Sequence, residues 1–118
     1  RPLLHVKDVA NAIDNTIEGS VNGIFNLHHK NYKIIELAEK IKEKIPEVTI
    51  ETTPLPFQDA RNYQVSSAKL KTETGFEASI ELERGINEVY DLISSNRIKD
   101  INDPRYSNQS FLQTFGIS

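Results

Sequence analysis

Two arginines, about sixty residues apart, are the side chains whose placement most suggests chemistry in this chain. The first opens the run Arg1-Pro2-Leu3-Leu4-His5-Val6-Lys7-Asp8-Val9-Ala10. The second stands in Asp59-Ala60-Arg61-Asn62-Tyr63. Together the two segments look like the ends of a substrate pocket. Arg61 also has a plainer reading, as a surface arginine paired with Asp59. His28-His29 invites a metal. Neighbouring strand residues point to opposite faces, and there is no Cys, so no metal site is expected. The pair reads instead as the loop end of a buried strand. His5 reads as a packing residue, Asp8 as a helix N-cap and Tyr90 as core.

The elements that must position these residues follow from periodicity and punctuation. Pro2 to Val6 reads as a short strand. Asp8 then caps a helix whose apolar face is Val9, Ile13 and Ile17, ended by Gly19. Ile24-Phe25-Asn26-Leu27 reads as a short buried strand after the turn at residues 20–23. Ile34, Leu37, Ala38, Ile41 and Ile45 form one stripe of a helix over 33–45, with Lys and Glu on its solvated face, and Pro46 stops it. Alternation over 48–52 predicts a strand, and Pro54 and Pro56 an extended loop leading to Arg61. Residues 63–65 predict a further strand. Ser66 or Ser67 caps a two-turn helix that contains Leu70 and ends at Gly75. A last helix over about 80–95 places Leu82, Ile86, Val89 and Ile93 inward, with close packing at Gly85. From Asn96 onward the chain reads as polar and irregular, with Phe111, Leu112, Phe115 and Ile117 as a docking tail.

The expected class is therefore α/β, with the character of an α+β fragment: three to four helices and short, scattered strands. Ile24–Leu27 in particular wants strand neighbours on both sides, of which this chain supplies few. A length of 118 residues suits one small domain and is too short for a complete two-part dinucleotide enzyme. With no Met, the chain is expected to be part of something longer. Fourteen Lys and Arg against 17 Asp and Glu argue against a nucleic-acid binder. No apolar run approaches the roughly 20 residues of a membrane span, so no membrane partner is expected. The absence of Cys excludes disulfides and fits a cytoplasmic location.

Five segments fall in a recognisable order. They are Arg1 to Ala10, Gly23-Ile24-Phe25-Asn26-Leu27, Ile35-Glu36-Leu37-Ala38-Glu39-Lys40-Ile41, Ser67-Ala68-Lys69-Leu70 with Thr74-Gly75-Phe76-Glu77, and Leu82-Glu83-Arg84-Gly85-Ile86. In this order the chain resembles the extended short-chain dehydrogenase/reductase family, the NAD-dependent sugar-nucleotide epimerases and dehydratases. The resemblance covers residues 1–95, as the C-terminal substrate-binding part of such an enzyme. Residues 96–118 form a tail, and the N-terminal Rossmann half is absent.

The resemblance implies that Arg1 and Arg61 grip the diphosphate of a nucleotide-diphosphate sugar. Guanidinium groups meet such an anion with planar, paired hydrogen bonds. It also implies that Asn26 lines the substrate site and that His28 faces the cofactor side. The intact parent would use NAD or NADP and form a homodimer, and the missing Rossmann half would be this chain's partner. The chain itself has no catalytic residue to offer. Its glycines, at 19, 23, 75, 85 and 116, form no pyrophosphate fingerprint, and no Tyr-x-x-x-Lys pair is present. No cofactor is expected for the fragment alone. The alternative from another class is a self-contained, non-catalytic α/β binding or protein-interaction module.

Overall fold

The computed structural model describes residues 1–17, 19, 21–54 and 62–116. Arg61, Asp59 and the loop leading to them lie outside the described residues, as does Ile117. The described elements are mixed α/β and mostly helical. In chain order they are β1 (Pro2–Leu3), α1 (Val6–Ile17), β2 (Lys30–Asn31), α2 (Ile34–Lys44), α3 (Ala68–Thr74), α4 (Leu82–Ser94), a 3-10 turn at Pro104–Tyr106 and α5 (Asn108–Phe115). The chain divides into two units, Arg1–Ile86 and Asn87–Ser118, so the division falls inside α4.

In the first unit β1 and β2 pair antiparallel, Pro2 opposite Asn31 and Leu3 opposite Lys30. Flanking bonds lengthen this short ladder. The Tyr32 N–H donates to the Arg1 carbonyl at 2.8 Å, and the His29 N–H to the Leu3 carbonyl at 2.9 Å. The strands expected at 24–27, 48–52 and 63–65 do not form ladders. A strand is held by its neighbours, and among the described residues no strand pairs with these segments. Ile24, expected to be buried, is 90 % exposed, and its carbonyl accepts instead from Lys69 Nζ at 3.1 Å.

α1 starts earlier than the sequence suggests. His5, not Asp8, occupies its N-cap position, where the imidazole Nδ1 accepts the Lys7 N–H at 3.1 Å. Asp8 lies in the first turn and is 1 % exposed. Its carboxylate oxygen Oδ2 accepts from the Ser79 N–H at 3.2 Å and the Ile80 N–H at 2.9 Å. A carboxylate in the first turn also suits the helix dipole. Asp8 thus ties α1 to the stretch entering α4 through a single carboxylate oxygen. The apolar face of α1 remains uncovered: Val6 is 74 %, Ile13 57 % and Ile17 74 % exposed.

α2 follows most of its expected stripe, with Leu37, Ala38, Ile41 and Ile45 half-buried, while Ile34 in its first turn is exposed. The Glu36 carboxylate accepts the Lys33 N–H at 2.8 Å, and Lys42 and Lys44 lie in the last turn, where the dipole favours cations. α3 buries Leu70 and ends at Gly75 in the left-handed region (φ 73°), which glycine adopts without steric cost. The close packing expected at Gly85 is present: a Cβ there would sit 3.4 Å from His5 Cδ2. Val89, Ile93 and Tyr90, expected inward or in the core, are exposed. Among the described residues the buried apolar side chains are Ala12, Leu70 and Ala78.

In the second unit, Asn96 adopts φ 56° just past α4, and the Arg97 N–H returns to the Leu92 carbonyl at 3.1 Å. The tail is not irregular. Asp103 and Pro104 start a 3-10 turn, and the Ser107 hydroxyl caps α5 by accepting the Ser110 N–H at 3.3 Å. Phe111 and Phe115 pack with ring centroids 5.0 Å apart. Among the described residues no helix is long and apolar enough to cross a membrane.

Candidate functional site

The two ends of the suspected pocket meet around β2. The ladder holds the backbone of Arg1, and the Arg1 guanidinium carbon lies 5.5 Å from the centroid of the Tyr63 ring, within cation–π range. Arg61 precedes Tyr63 by two positions and lies outside the described residues. Residues separated by more than sixty positions therefore share one place. A second cation–aromatic contact lies in the same unit: Lys69 Nζ sits 4.5 Å from the Phe25 centroid.

Behind Tyr63 stands a hydrogen-bond network built on Asn31. Its Oδ1 accepts the Val65 N–H and its Nδ2 donates to the Val65 carbonyl, both at 2.9 Å. The Val65 N–H can only donate, which fixes the orientation of the amide. The second Nδ2 hydrogen then goes to His28 Nε2 at 3.1 Å. Nε2 is consequently an acceptor, and the ring hydrogen sits on Nδ1. From there it donates to Ser67 Oγ at 2.6 Å. Ser67 Oγ also accepts the His28 backbone N–H at 2.9 Å and donates to the His28 carbonyl at 3.4 Å.

This assembly has the residue types of a nucleophilic triad and the opposite proton arrangement. A base must accept the serine hydrogen, whereas the His28 nitrogen facing Ser67 is itself a donor. The network is a lock and not a nucleophile. It also corrects the expected cap of α3. Ser67 makes no side-chain cap bond because its hydroxyl is engaged by His28, while Ser66 Oγ accepts the Ala68 N–H at 3.4 Å. Asn26, two residues before His28, is exposed and outside the network. Asn31, Val65 and Ser67 carry this site; the sequence reading took Val65 as strand and Ser67 as a cap, and did not single out Asn31. An amide that can satisfy both polar groups of a lone extended residue was the available signal.

Two hollows flank the network. One, of about 150 Å³, lies between Leu3, His5, His29 and Gly85. At its edge His29 Nε2 is 3.7 Å from Glu81, which also pairs with Lys30 at 3.4 Å. The other, of about 270 Å³, lies beside His28, Ser67, Lys71 and Phe76. Both fall below the roughly 300–1,000 Å³ of a site that encloses a drug-sized ligand. Nearby, Lys40 and Glu83 form a hydrogen-bonded ion pair. That bond raises the Lys40 ammonium above its ordinary range and lowers the Glu83 carboxyl below its own. Among the described residues no cluster of three His, Cys, Asp or Glu side chains could hold a metal ion.

The residues present do not fit a dinucleotide. Gly23, Gly75 and Gly116 serve separate turns, and Gly85 lies against His5, so no glycine loop is shaped to cradle a pyrophosphate. Both ring nitrogens of His28 are engaged within the chain. No protein-family model, curated protein or solved structure matches this chain.

Proposed function

We propose that this chain is the substrate-binding portion of an NAD(P)-dependent nucleotide-sugar epimerase, dehydratase or reductase of the extended short-chain dehydrogenase/reductase type. The observation that carries the reading is the Arg1–Tyr63 contact, which joins the opening segment to the one that bears Arg61. In this reading the two guanidinium groups clamp the ligand diphosphate, each charged hydrogen bond contributing about 1.5–3 kcal/mol. Binding energy from that remote group then orients the sugar. Asn26 lines the sugar cleft and His28 stands on the cofactor side.

The small size of both hollows supports a half-site, completed by another part of the parent. NAD or NADP belongs to that other part, an N-terminal Rossmann half, and this chain's residues supply no step of the redox chemistry. A cytoplasmic, homodimeric parent goes with the same reading. Calorimetry tests it. The intact parent binds a UDP-, dTDP-, GDP- or CDP-sugar, and Arg61→Ala weakens that binding at least about tenfold. Unchanged affinity removes Arg61 from the clamp. Micromolar NAD binding by the 118-residue chain alone would contradict the assignment of the cofactor to another part.

The exposed apolar face of α1 favours a second reading, a self-contained α/β binding or protein-interaction module. The reading frame upstream of Arg1 separates the two. A glycine fingerprint and a Tyr-x-x-x-Lys pair there decide for the enzyme, and an initiation codon directly before Arg1 decides for the module.

A further inference from the structure

β2 holds both ends of the Arg1–Tyr63 site by different means. Its backbone holds the first: Pro2 pairs with Asn31, and the Arg1 carbonyl accepts the Tyr32 N–H at 2.8 Å. Its Asn31 side chain holds the second. The amide meets both backbone groups of Val65 at 2.9 Å, as a neighbouring strand would, in a region where no strand is available. Val65 follows Tyr63 by two residues, which fixes where the Tyr63 ring can stand relative to Arg1. The amide cannot turn over. A rotation would aim its NH2 group at the Val65 N–H and its oxygen at the Val65 carbonyl, and would remove the donor to His28 Nε2. His28 is in turn held by Ser67 at the head of α3.

We infer that Asn31 is the positioning residue of the Arg1–Tyr63 site. It sets the distance between the Arg1 guanidinium and the Tyr63 ring, without touching a ligand. The ligand half of this inference rests on the nucleotide-sugar reading; the geometric half does not.

The experiment has two arms. By NMR on the 118-residue chain, nuclear Overhauser contacts between the Arg1 side chain and the Tyr63 ring are present and disappear in Asn31→Ala, while amide shifts in α2 and α4 stay in place. By calorimetry on the intact parent, Asn31→Ala weakens nucleotide-sugar binding about tenfold. Asn31→Asp keeps an acceptor for the Val65 N–H and loses both donors, so it weakens binding about threefold. Retention of the Arg1–Tyr63 contacts and of affinity in Asn31→Ala overturns the inference. If Asn31→Ala does not fold, Asn31→Asp and the His28 tautomer decide. Nitrogen shifts must show the hydrogen on Nδ1 in the unsubstituted chain, and a hydrogen on Nε2 overturns the inference. If the parent binds no nucleotide sugar while Asn31→Ala still loses the contacts, the positioning stands and the nucleotide-sugar reading falls.

Discussion

The junction around β2 and the helix α1 belong to the same unit and are held by opposite means. At the junction every polar partner is found inside the chain: Asn31 with Val65 and His28, and His28 with Ser67. α1 buries Asp8 and Ala12, the carboxylate bonding to Ser79 and Ile80, while Val6, Ile13 and Ile17 stay exposed. An aliphatic side chain of that size contributes about 1.5–3 kcal/mol when fully covered, and α1 realises little of it. Among the described residues no buried side-chain polar atom lacks a hydrogen-bond partner, while the apolar stripe of α1 stays exposed.

Substitutions at three positions sharpen or break this comparison. The largest effect is expected at Asp8. Asp8→Ala strands the Ser79 and Ile80 N–H groups and lowers the unfolding free energy by about 3 kcal/mol in urea denaturation. Asp8→Asn keeps an oxygen for them and costs about 1 kcal/mol. A loss under about 1 kcal/mol for the alanine variant would show that the carboxylate is not the fastening.

On the apolar stripe the expected effect is small. Ile13→Glu changes the stability of this chain by no more than about 0.5 kcal/mol, because Ile13 is 57 % exposed. A loss of about 2 kcal/mol or more by the same measurement would mean that the face is covered, and the contrast with the junction would collapse.

The smallest effect is expected in the second unit. Hydrogen bonds from the Arg105 guanidinium and backbone push the Asp103 carboxyl down to about 2 from an ordinary 3.8. A depressed carboxyl stabilises the folded form above its ordinary range and loses that contribution as pH falls through about 2. Arg105→Ala therefore returns the Asp103 titration, followed by NMR, toward 3.8, with no measurable change in thermal stability at neutral pH. An unmoved titration would show that the pair does not form in solution.

Much of the helical skeleton was legible in the residues themselves. The 3.6-residue stripe of α2, the Pro46 stop, the Gly75 end of α3 and the crowding at Gly85 were each readable from local pattern. The strands were not, because Ile24–Leu27, 48–52 and 63–65 have strand-like composition and no partner to pair with. Asp8 looked like a cap because an acid before an apolar run usually is one. The contact that claims it comes from residues 79 and 80. α5 was missed because its polar residues masked the pairing of Phe111 with Phe115 one turn apart. For the candidate site, Arg1 and Arg61 were expected to converge; the structure sets Arg1 beside Tyr63 and Arg61 lies outside the described residues, while the Asn31 amide that holds Val65 went unnoticed.

By itself the sequence determined the stripe and stop of α2, the end of α3 and the course of α4, since those preferences act through bonds three or four residues apart. It also determined the charge balance and the absence of a thiolate or dinucleotide motif. Only the tertiary structure decided which polar groups find each other. Asn31 reaches across 34 residues to Val65, His28 across 39 to Ser67, and Asp8 across 71 to Ser79. It alone decided, too, that the stripe of α1 stays uncovered. A hydrogen bond is directional and needs its partner within about 3 Å, so its existence depends on how distant segments pack and not on their local patterns.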